Sequence, residues 1–378
     1  MANAAEFVRS LCQSGAVRLD WSDWLEAPPA RYDRTIDCER AEGMMLGLAI
    51  GDALGNTSES MLPDRRRSVH GIIRDYLPNR YADNRRVGLP SDDTQLAVWT
   101  LEHLLEYGRI EPEALADLFA SRQIFGSGHA VREFVENRRQ GLPWPECGAH
   151  SAGNGALMRI APVLLPHLLT GTEALWTDTL LAAAVTHNEP GSLAACAAFV
   201  NMLWELLHAA GPPKPEWWMD QYVAVASQLE GDTHYQPRNL DGADYDGTLW
   251  EFARERVPEA YRQGLSVLEA CNSWYSGAFL LETVPCVLYI LMLHGHDPEE
   301  AIIRAVNDTR DNDTIAAIVG AAVGALHGAA ALPPGWKDNL LGRTAADDDG
   351  RLFELLAQAK RRWGDKTSYF EGDAQNGE

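Results

Sequence analysis

The chain has 378 residues, of which 46% are hydrophobic and 23% charged, a composition typical of a globular protein with a sizeable core. Its formal net charge of −22 repels phosphate backbones and therefore argues against nucleic acid as a general partner. The six scattered cysteines form no CxxC pair, and the N-terminus lacks the basic and apolar segments of a signal peptide. We therefore expect a cytoplasmic protein with reduced thiols.

Helical patterns dominate the chain, and signals for strands are scarce. Only residues 70–76 and 85–90 have the composition of short strands. Apolar residues recur at helical spacing in three long segments, 95–107, 192–211 and 279–295. The sequence therefore predicts an all-α protein.

No repeat or low-complexity linker divides the chain, so we predict a single compact domain of orthogonally packed helices. This domain is expected to span residues 35–365, between an N-terminal extension at 1–34 and a flexible polar tail at 366–378. The Gly- and Asp-rich stretch 231–247 is predicted to be a long loop. We interpret the Ala- and Gly-rich segment 315–332 as a packed helix and expect no membrane partner.

Small residues recur at every fourth position in two segments. The first stripe consists of Gly43, Gly47, Gly51 and Gly55, and the second of Ala316, Gly320, Gly324 and Gly328. Residues four apart share a helix face, and each glycine costs about 1 kcal/mol of helix propensity relative to alanine. Such a stripe is tolerated where another backbone comes very close. We therefore predict two central helices packed at short range.

Two acidic clusters precede apolar helices in the same layout, "SDDT" at 91–94 and "DNDT" at 311–314. Helix capping is one explanation, but capping needs a single side chain, and adjacent carboxylates repel unless a cation lies among them. Mg²⁺ and Mn²⁺ bind carboxylate, hydroxyl and water oxygens. The alternative to capping is therefore a metal site. Its candidate ligands are Ser91, Asp92, Asp93, Asp311, Asp313 and Thr314.

Six protein oxygens cannot fill two octahedral shells, so a site with two ions would keep positions open for water and substrate. Other metal motifs fit less well. An EF-hand requires a glycine and further oxygen ligands where Ile315 and Ala316 stand, and "DDTQL" lacks the last aspartate of a DDxxD diphosphate-binding motif. An all-α Mg²⁺ enzyme acting on prenyl diphosphates is nevertheless retained as an alternative.

Two further stretches are typical of binding loops. "HSAGNG" contains Ser151, Gly153, Asn154 and Gly155, and its small residues allow backbone amides to approach an anion; an ordinary turn is the alternative. "VTHNEP" places His187 between two apolar helices. A histidine in this position serves either as a hydrogen-bonded structural residue or in the site.

Taken in order, six segments resemble the ADP-ribosylglycohydrolase family. They are "GLAIGDALGNTSE", "PSDDTQLAVW", "SAGNGALMRIAPV", "VTHNEPGSLAA", "GAFLLETVPCVLYIL" and "RDNDTIAAIVGAAVGALHG". The resemblance implies an all-α fold with a dinuclear Mg²⁺ or Mn²⁺ site in a central cleft, held by the six candidate ligands named above. It also implies that the protein removes ADP-ribose from a modified side chain, so its partner is ADP-ribose or an ADP-ribosylated molecule.

The resemblance also implies roles for individual residues. Glu59 matches an acidic position near the scissile bond, and we predict Glu59, Asp92 and Asp313 as the catalytic carboxylates. The loop of Ser151, Gly153, Asn154 and Gly155 is expected to contact ADP-ribose, and His187 to lie at the substrate cleft. Arg310 departs from the family pattern, in which glycine is common, and is predicted to contact phosphate, to neutralise a carboxylate or to alter specificity.

The sequence indicates the residues of the site more clearly than it indicates which linkage is cleaved. Arginine-linked ADP-ribose is our first prediction. Serine-linked or other O-linked ADP-ribose is the second, and a non-catalytic protein that binds ADP-ribose is a third.

Overall fold

The structure, a computed structural model, describes residues 4–32, 36–59, 61–238 and 245–364. Their regular secondary structure is almost entirely helical, so the predicted all-α class is confirmed. The tail predicted at 366–378 lies outside the described residues.

Seventeen α-helices are found in this part of the chain. Their bounds are α1 Ala4–Ser14, α2 Cys38–Gly55, α3 Pro63–His70, α4 Asp92–Tyr107, α5 Pro112–Ser121, α6 His129–Arg139, α7 Trp144–Cys147, α8 Ala174–Ala184, α9 Pro190–His208, α10 Pro215–Leu229, α11 Leu249–Gln263, α12 Val267–Ser273, α13 Leu280–His294, α14 Pro298–Asp308, α15 Asn312–His327, α16 Pro334–Asp338 and α17 Arg351–Trp363. Short 3₁₀ helices lie at Asp23–Glu26, Asn56–Ser58, Arg80–Ala82, Leu157–Arg159, Ala161–His167 and Ala329–Ala331.

The described residues contain one small sheet, in which β1, Pro78–Asn79, pairs antiparallel with β2, Arg85–Arg86. The strand candidate at 85–90 therefore contains β2. The candidate at 70–76 is wrong, because the amide and carbonyl of Ile73 bond to the side chain of Asn307 rather than to a neighbouring strand.

Helices α2 and α15 form the centre of the domain and run antiparallel in direct backbone contact. A Cβ built on Gly47 would overlap the carbonyl group of Gly320, and one on Gly43 would lie 2.5 Å from the carbonyl oxygen of Gly324. No side chain fits between these backbones. The predicted close packing of the two stripes is confirmed. It fixes the position of one helix relative to the other along the helix axes.

The helix α9 lies in the core. It is the one helix of the described segments that is long and apolar enough to cross a membrane, and 83% of its apolar window is buried inside the protein. Burial against neighbouring helices explains this apolar composition, as in the core helix of a globular domain.

Residues 4–32, which belong to the predicted N-terminal extension, pack on the helical domain. Val8 and Val17 are buried in the same hydrophobic core, and helix α1 contacts α8. The side chain of Asn188 accepts a hydrogen bond from the amide of Arg18 and donates one to the carbonyl of Ala16. The N-terminal segment is thus connected to α8 and to the residues between α8 and α9 through both polar and apolar contacts.

Candidate active site

The close packing of α2 and α15 brings the two acidic regions together. At the end of the glycine stripe, a Cβ on Gly55 would lie 2.5 Å from the Cα of Asp313. Asp313 therefore starts its helix against the last turn of α2, which also carries Asp52. Asp52 and Asp313 lie far apart in the sequence and are brought close together because these two backbones are in contact.

Asp52 fixes the start of α4. Its carboxylate accepts hydrogen bonds from the amides of Ser91, at 2.9 and 3.0 Å, and Thr94, at 3.1 Å, and from the Thr94 hydroxyl at 2.5 Å. The side chain of Asn56 donates a further bond at 3.1 Å. Sequence analysis missed Asp52, although an aspartate inside the apolar glycine stripe was a usable signal.

Five carboxylates converge below the N-termini of α4 and α15. Asp52, Asp93 and Asp313 offer oxygens that lie within 4.8 Å of one another, and so do Glu59, Asp311 and Asp313. Asp313 belongs to both groups. Two adjacent sets that share one carboxylate are the arrangement expected where two cations lie side by side.

The protein itself supplies little positive charge to balance these groups. Burial raises the pKa of Asp313 well above its ordinary value, and the charges of Asp93 and Asp311 raise it further. Burial, followed by the charge of Asp52, raises the pKa of Asp92 to about 7. Carboxylates crowded in this way hold protons until a cation replaces them.

The donor set fits a hard divalent cation. Oδ1 of Asp93 is buried and has no hydrogen-bond partner in the described part of the protein, whereas Oδ2 accepts from the Ser91 hydroxyl at 3.0 Å. The Thr314 hydroxyl lies 4.0 Å from the sulfur of Met158, and the Thr314 side chain also forms a hydrogen bond with Asp311. An orphaned carboxylate oxygen beside hydroxyl oxygens matches the ligands of Mg²⁺ and Mn²⁺.

Asp52 is placed to position the site rather than to bind a cation directly. Each of its oxygens already accepts at least two hydrogen bonds, which occupies most of its lone pairs. We therefore regard the six predicted ligands, all of which lie at the starts of α4 and α15, as the better donor set.

A cavity of about 460 Å³ opens above the carboxylates. Its lining includes eleven of the predicted site residues, which are Glu59, Asp92, Asp93, Ser151, Gly153, Asn154, Gly155, His187, Asp311, Asp313 and Thr314. The structure therefore brings the acidic clusters and the two predicted loops to one place. Ser91 reaches the site through its bond to Asp93.

The loop at 151–155 is held against the start of α13. The amide of Asn154 donates to the carbonyl of Ala278, and the amide of Leu280 donates to the carbonyl of Ala152. The amide of Gly153 is bonded to the Ser151 hydroxyl at 3.3 Å. Two amides of the loop are thus already engaged within the protein.

The side chain of Asn154 points toward the acidic cluster. Its Nδ2 donates to Asp311 at 2.6 Å and to the hydroxyl of Thr283 at 3.0 Å. Asn154 therefore orients a predicted metal ligand, a role that the glycine-rich motif did not suggest.

Arg310 and Arg238 take different positions around Tyr275. The guanidinium of Arg310 lies 4.0 Å from the centroid of the Tyr275 ring, and Arg310 does not line the cavity. Arg238 does line it, and forms two hydrogen bonds of 2.7 Å with the buried carboxylate of Glu282. Arg238 was not among the predicted site residues, because no motif surrounds it in the polar stretch 231–247.

A fully buried arginine supports the site from below. The guanidinium of Arg66 donates to the hydroxyl of Ser58 at 3.0 Å and to the carbonyls of Met61, at 2.9 Å, and Thr309, at 2.7 Å. It thereby connects the turn that carries Glu59 to the segment that precedes Asp311. No pattern in "LPDRRRSVH" distinguishes this arginine from its exposed neighbours.

An all-helical fold with carboxylates and hydroxyls converging at the floor of a cleft defines a protein with an acidic site suited to divalent cations. Comparison with protein families agrees with this class. The model of the ADP-ribosylglycohydrolase family matches residues 33–366, so the chain belongs to that family and is a glycosidase-type hydrolase. Membership of this family argues against the alternative of an all-α enzyme that acts on prenyl diphosphates.

Curated relatives carry the same activity class. The ADP-ribosylarginine hydrolase Tri1 of Pseudomonas putida (strain GB-1) is 26% identical over 333 residues, which cover 84% of this chain and 78% of the relative. The ADP-ribosyl-dinitrogen reductase glycohydrolase of Rhodospirillum rubrum is 27% identical, with coverage of 85% and 97%. A solved ADP-ribosylglycohydrolase-related protein complex is 26% identical with a TM-score of 0.58, covering 87% of this chain and 99% of that chain.

Proposed function

We propose that the protein hydrolyses the N-glycosidic bond between the ribose of ADP-ribose and the guanidinium group of a modified arginine. The observation that carries this proposal is the orphaned Asp93 oxygen in a group of carboxylates at the floor of the cavity. Two of the relatives described above have names that specify ADP-ribosylarginine or ADP-ribosylated dinitrogen reductase as the substrate.

Two Mg²⁺ or Mn²⁺ ions are proposed to lie between the N-termini of α4 and α15. Their protein ligands would be Ser91, Asp92, Asp93, Asp311, Asp313 and Thr314. A divalent cation in such a site orients substrate hydroxyls and activates water for attack on the glycosidic carbon. The protein holds the ligands in place through Asp52, Asn154 and Arg66, as described above.

Proton transfer falls to carboxylates that line the cavity. Glu59 or Asp92 would accept the proton of the attacking water while the carbon–nitrogen bond breaks, and the same carboxyl group would then return that proton to the departing guanidine nitrogen. In the cation-free site, burial followed by the charge of Asp311 raises the pKa of Glu59. Asp313 belongs to both groups of carboxylates and would take part in the reaction through the cations that these groups hold.

The described lining of the cavity carries five carboxylates, and its one arginine is engaged by Glu282. Two divalent cations would neutralise four of these negative charges, so the charge of the lining does not decide between a guanidine and a hydroxyl leaving group. Arginine-linked substrates are placed before O-linked ones because the name of the Tri1 relative specifies ADP-ribosylarginine.

The test is release of ADP-ribose from matched substrates linked through arginine, serine or other side chains. We expect the highest kcat/KM for the arginine-linked substrate, loss of activity in EDTA, and recovery with Mg²⁺ or Mn²⁺. Faster release from an O-linked substrate would overturn the assignment of the linkage. Binding of ADP-ribose without release from any substrate would overturn the catalytic function and favour a binding protein.

A further inference from the structure

Arg159 is buried in the core with no carboxylate partner among the described residues. Its side chain has no solvent exposure, and Nη2 donates to the carbonyl of Ala182 at 2.8 Å and to the Thr186 hydroxyl at 2.6 Å. The guanidinium lies 5.1 Å from the centroid of the Phe119 ring, while Nε and Nη1 have no partner in the described segments. An uncompensated buried cation is unfavourable, so its presence calls for a function.

The Thr186 hydroxyl connects Arg159 to His187. The Thr186 oxygen lies 2.9 Å from Nδ1 of His187, and both residues are buried. Arginine can only donate, so the hydroxyl accepts from Arg159 and keeps its own proton for another acceptor. Among the described residues that acceptor is Nδ1 of His187, because no other hydrogen bond of this hydroxyl is found.

This arrangement determines which ring nitrogen of His187 carries the proton. With Nδ1 accepting from Thr186, neutral imidazole must be protonated on Nε2. A second proton on Nδ1 would leave the hydroxyl proton without an acceptor and would place a charge near Arg159. Burial, followed by the charge of Arg159, lowers the pKa of His187 to about 3, in agreement with a neutral ring.

The Nε2 edge of His187 faces the loop at 151–155. A Cβ built on Gly155 would lie 3.1 Å from Nε2, and one on Gly153 would lie 3.4 Å from it. His187 lines the cavity, and its Nε2 has no hydrogen-bond partner in the part of the chain that the structure describes. Glycine at both positions leaves room for a ligand atom beside this nitrogen.

We propose that Arg159 and Thr186 are positioning residues that hold His187 as a neutral Nε2–H donor toward an oxygen of the bound ligand. Since the lone pair of Nδ1 is occupied, His187 serves neither as general base nor as general acid. This inference rests on the proposed function for the identity of the ligand, an oxygen of the ADP-ribose moiety. The hydrogen-bond relay itself depends only on the three side chains.

The experiment uses full-length protein with ¹⁵N-labelled histidine and three threonine variants. Nitrogen NMR reports the protonation of each ring nitrogen of His187, and calorimetry with Mg²⁺ reports the affinity for ADP-ribose. In Thr186→Val we expect a mixed tautomer and about tenfold weaker binding, the effect of one lost hydrogen bond. Thr186→Ser should restore both. Thr179→Val is the matched control, since Thr179 is equally buried and bonds only to the Leu175 carbonyl.

An unchanged tautomer in Thr186→Val would overturn the relay, and so would a proton on Nδ1 in the unmodified protein. Arg159→Met tests the arginine separately: we expect a lower fraction of the Nε2–H tautomer, and an unchanged fraction would show that Arg159 only fills the core. Failure of the unmodified protein to bind ADP-ribose would contradict the proposed function, whereas the NMR signal would still decide the relay.

Discussion

Gly47 and Gly320 meet backbone to backbone at the centre of the domain, and a Cβ on either residue would overlap the carbonyl group of the other. This contact sets the spacing and height of α2 and α15. The same spacing brings Gly55 against Asp313 and so delivers a predicted metal ligand to the last turn of α2. The packing of α2 against α15 therefore also determines the geometry of the site.

We expect Gly47→Ala to destabilise the protein by about 3 kcal/mol, the upper end of the range for overpacking, because the obstructing atoms are backbone and cannot rotate away. Chemical denaturation followed by circular dichroism measures the change. Gly335→Ala is the control, since a Cβ there meets nothing within 4 Å. Equal stability of the two variants would contradict the close-packing argument.

Asp93→Asn should stabilise the cation-free protein while it abolishes activity. The substitution removes a buried carboxylate with an orphaned oxygen, which we expect to raise the free energy of unfolding by about 1–3 kcal/mol in EDTA. Loss of a ligand should lower kcat/KM by at least about 100-fold. Thermal unfolding with and without Mn²⁺ checks both parts: the cation should raise the Tm of the unmodified protein and leave that of the variant unchanged. A similar rise in both proteins would refute ligation by Asp93.

Arg66→Met should be far more damaging than the same change at its neighbour Arg65. Loss of the Arg66 guanidinium removes the donor to the carbonyl oxygens of Met61 and Thr309 and one of the donors to the Ser58 hydroxyl, which we expect to cost about 3 kcal/mol. Arg65 lies on the same helix and is exposed, so Arg65→Met should change stability by less than about 0.5 kcal/mol.

The substitutions of Arg66 and Arg65 should also differ in their effect on catalysis. Because Arg66 joins the turn of Glu59 to the segment before Asp311, we expect Arg66→Met to lower kcat at temperatures where the variant is still folded. Normal kcat in a folded Arg66→Met protein would show that the connection is not needed for catalysis.

Much of the fold and the floor of the site could be predicted because local patterns encode them. The glycine stripes need close packing wherever they occur, and the paired aspartates mark the starts of α4 and α15. The carboxylate of Asp52 could not be assigned in the same way. A single aspartate gives no indication that it will cap a helix 40 residues further along the chain.

The residues that were missed share one property: each acts through contacts distant in sequence. Arg66 bonds to carbonyls around residue 309, Arg238 pairs with Glu282, and Asp52 accepts from the amides of Ser91 and Thr94. The tertiary fold decides such pairs, and one sequence does not contain that information in a local pattern. Arg310 was noticed because it departs from a family pattern, and its position on Tyr275 is visible only in the structure.

Glu230 gives the stability of the protein a defined pH dependence. This carboxylate at the end of α10 accepts hydrogen bonds from the amides of Leu249, at 2.5 Å, and Trp250, at 3.0 Å, and so caps α11. Burial nevertheless dominates and raises its pKa from 4.5 to about 7. The folded state therefore binds this proton more tightly than the unfolded state. Its contribution to stability is complete below pH 4.5 and is lost as the pH rises to about 7.

We expect Glu230→Gln to remove this part of the pH dependence, because the amide does not titrate. A shift from 4.5 to about 7, at 1.36 kcal/mol per pH unit, amounts to about 3 kcal/mol between the two ends of this range. Urea denaturation in EDTA at several pH values measures the free energy of unfolding of the variant and of the unmodified protein. The contributions of the other carboxylates cancel in the difference between the two. Glu255→Gln, an exposed carboxylate on α11, should run parallel to the unmodified protein. Parallel curves for Glu230→Gln itself would mean that Glu230 titrates alike in the folded and unfolded chains.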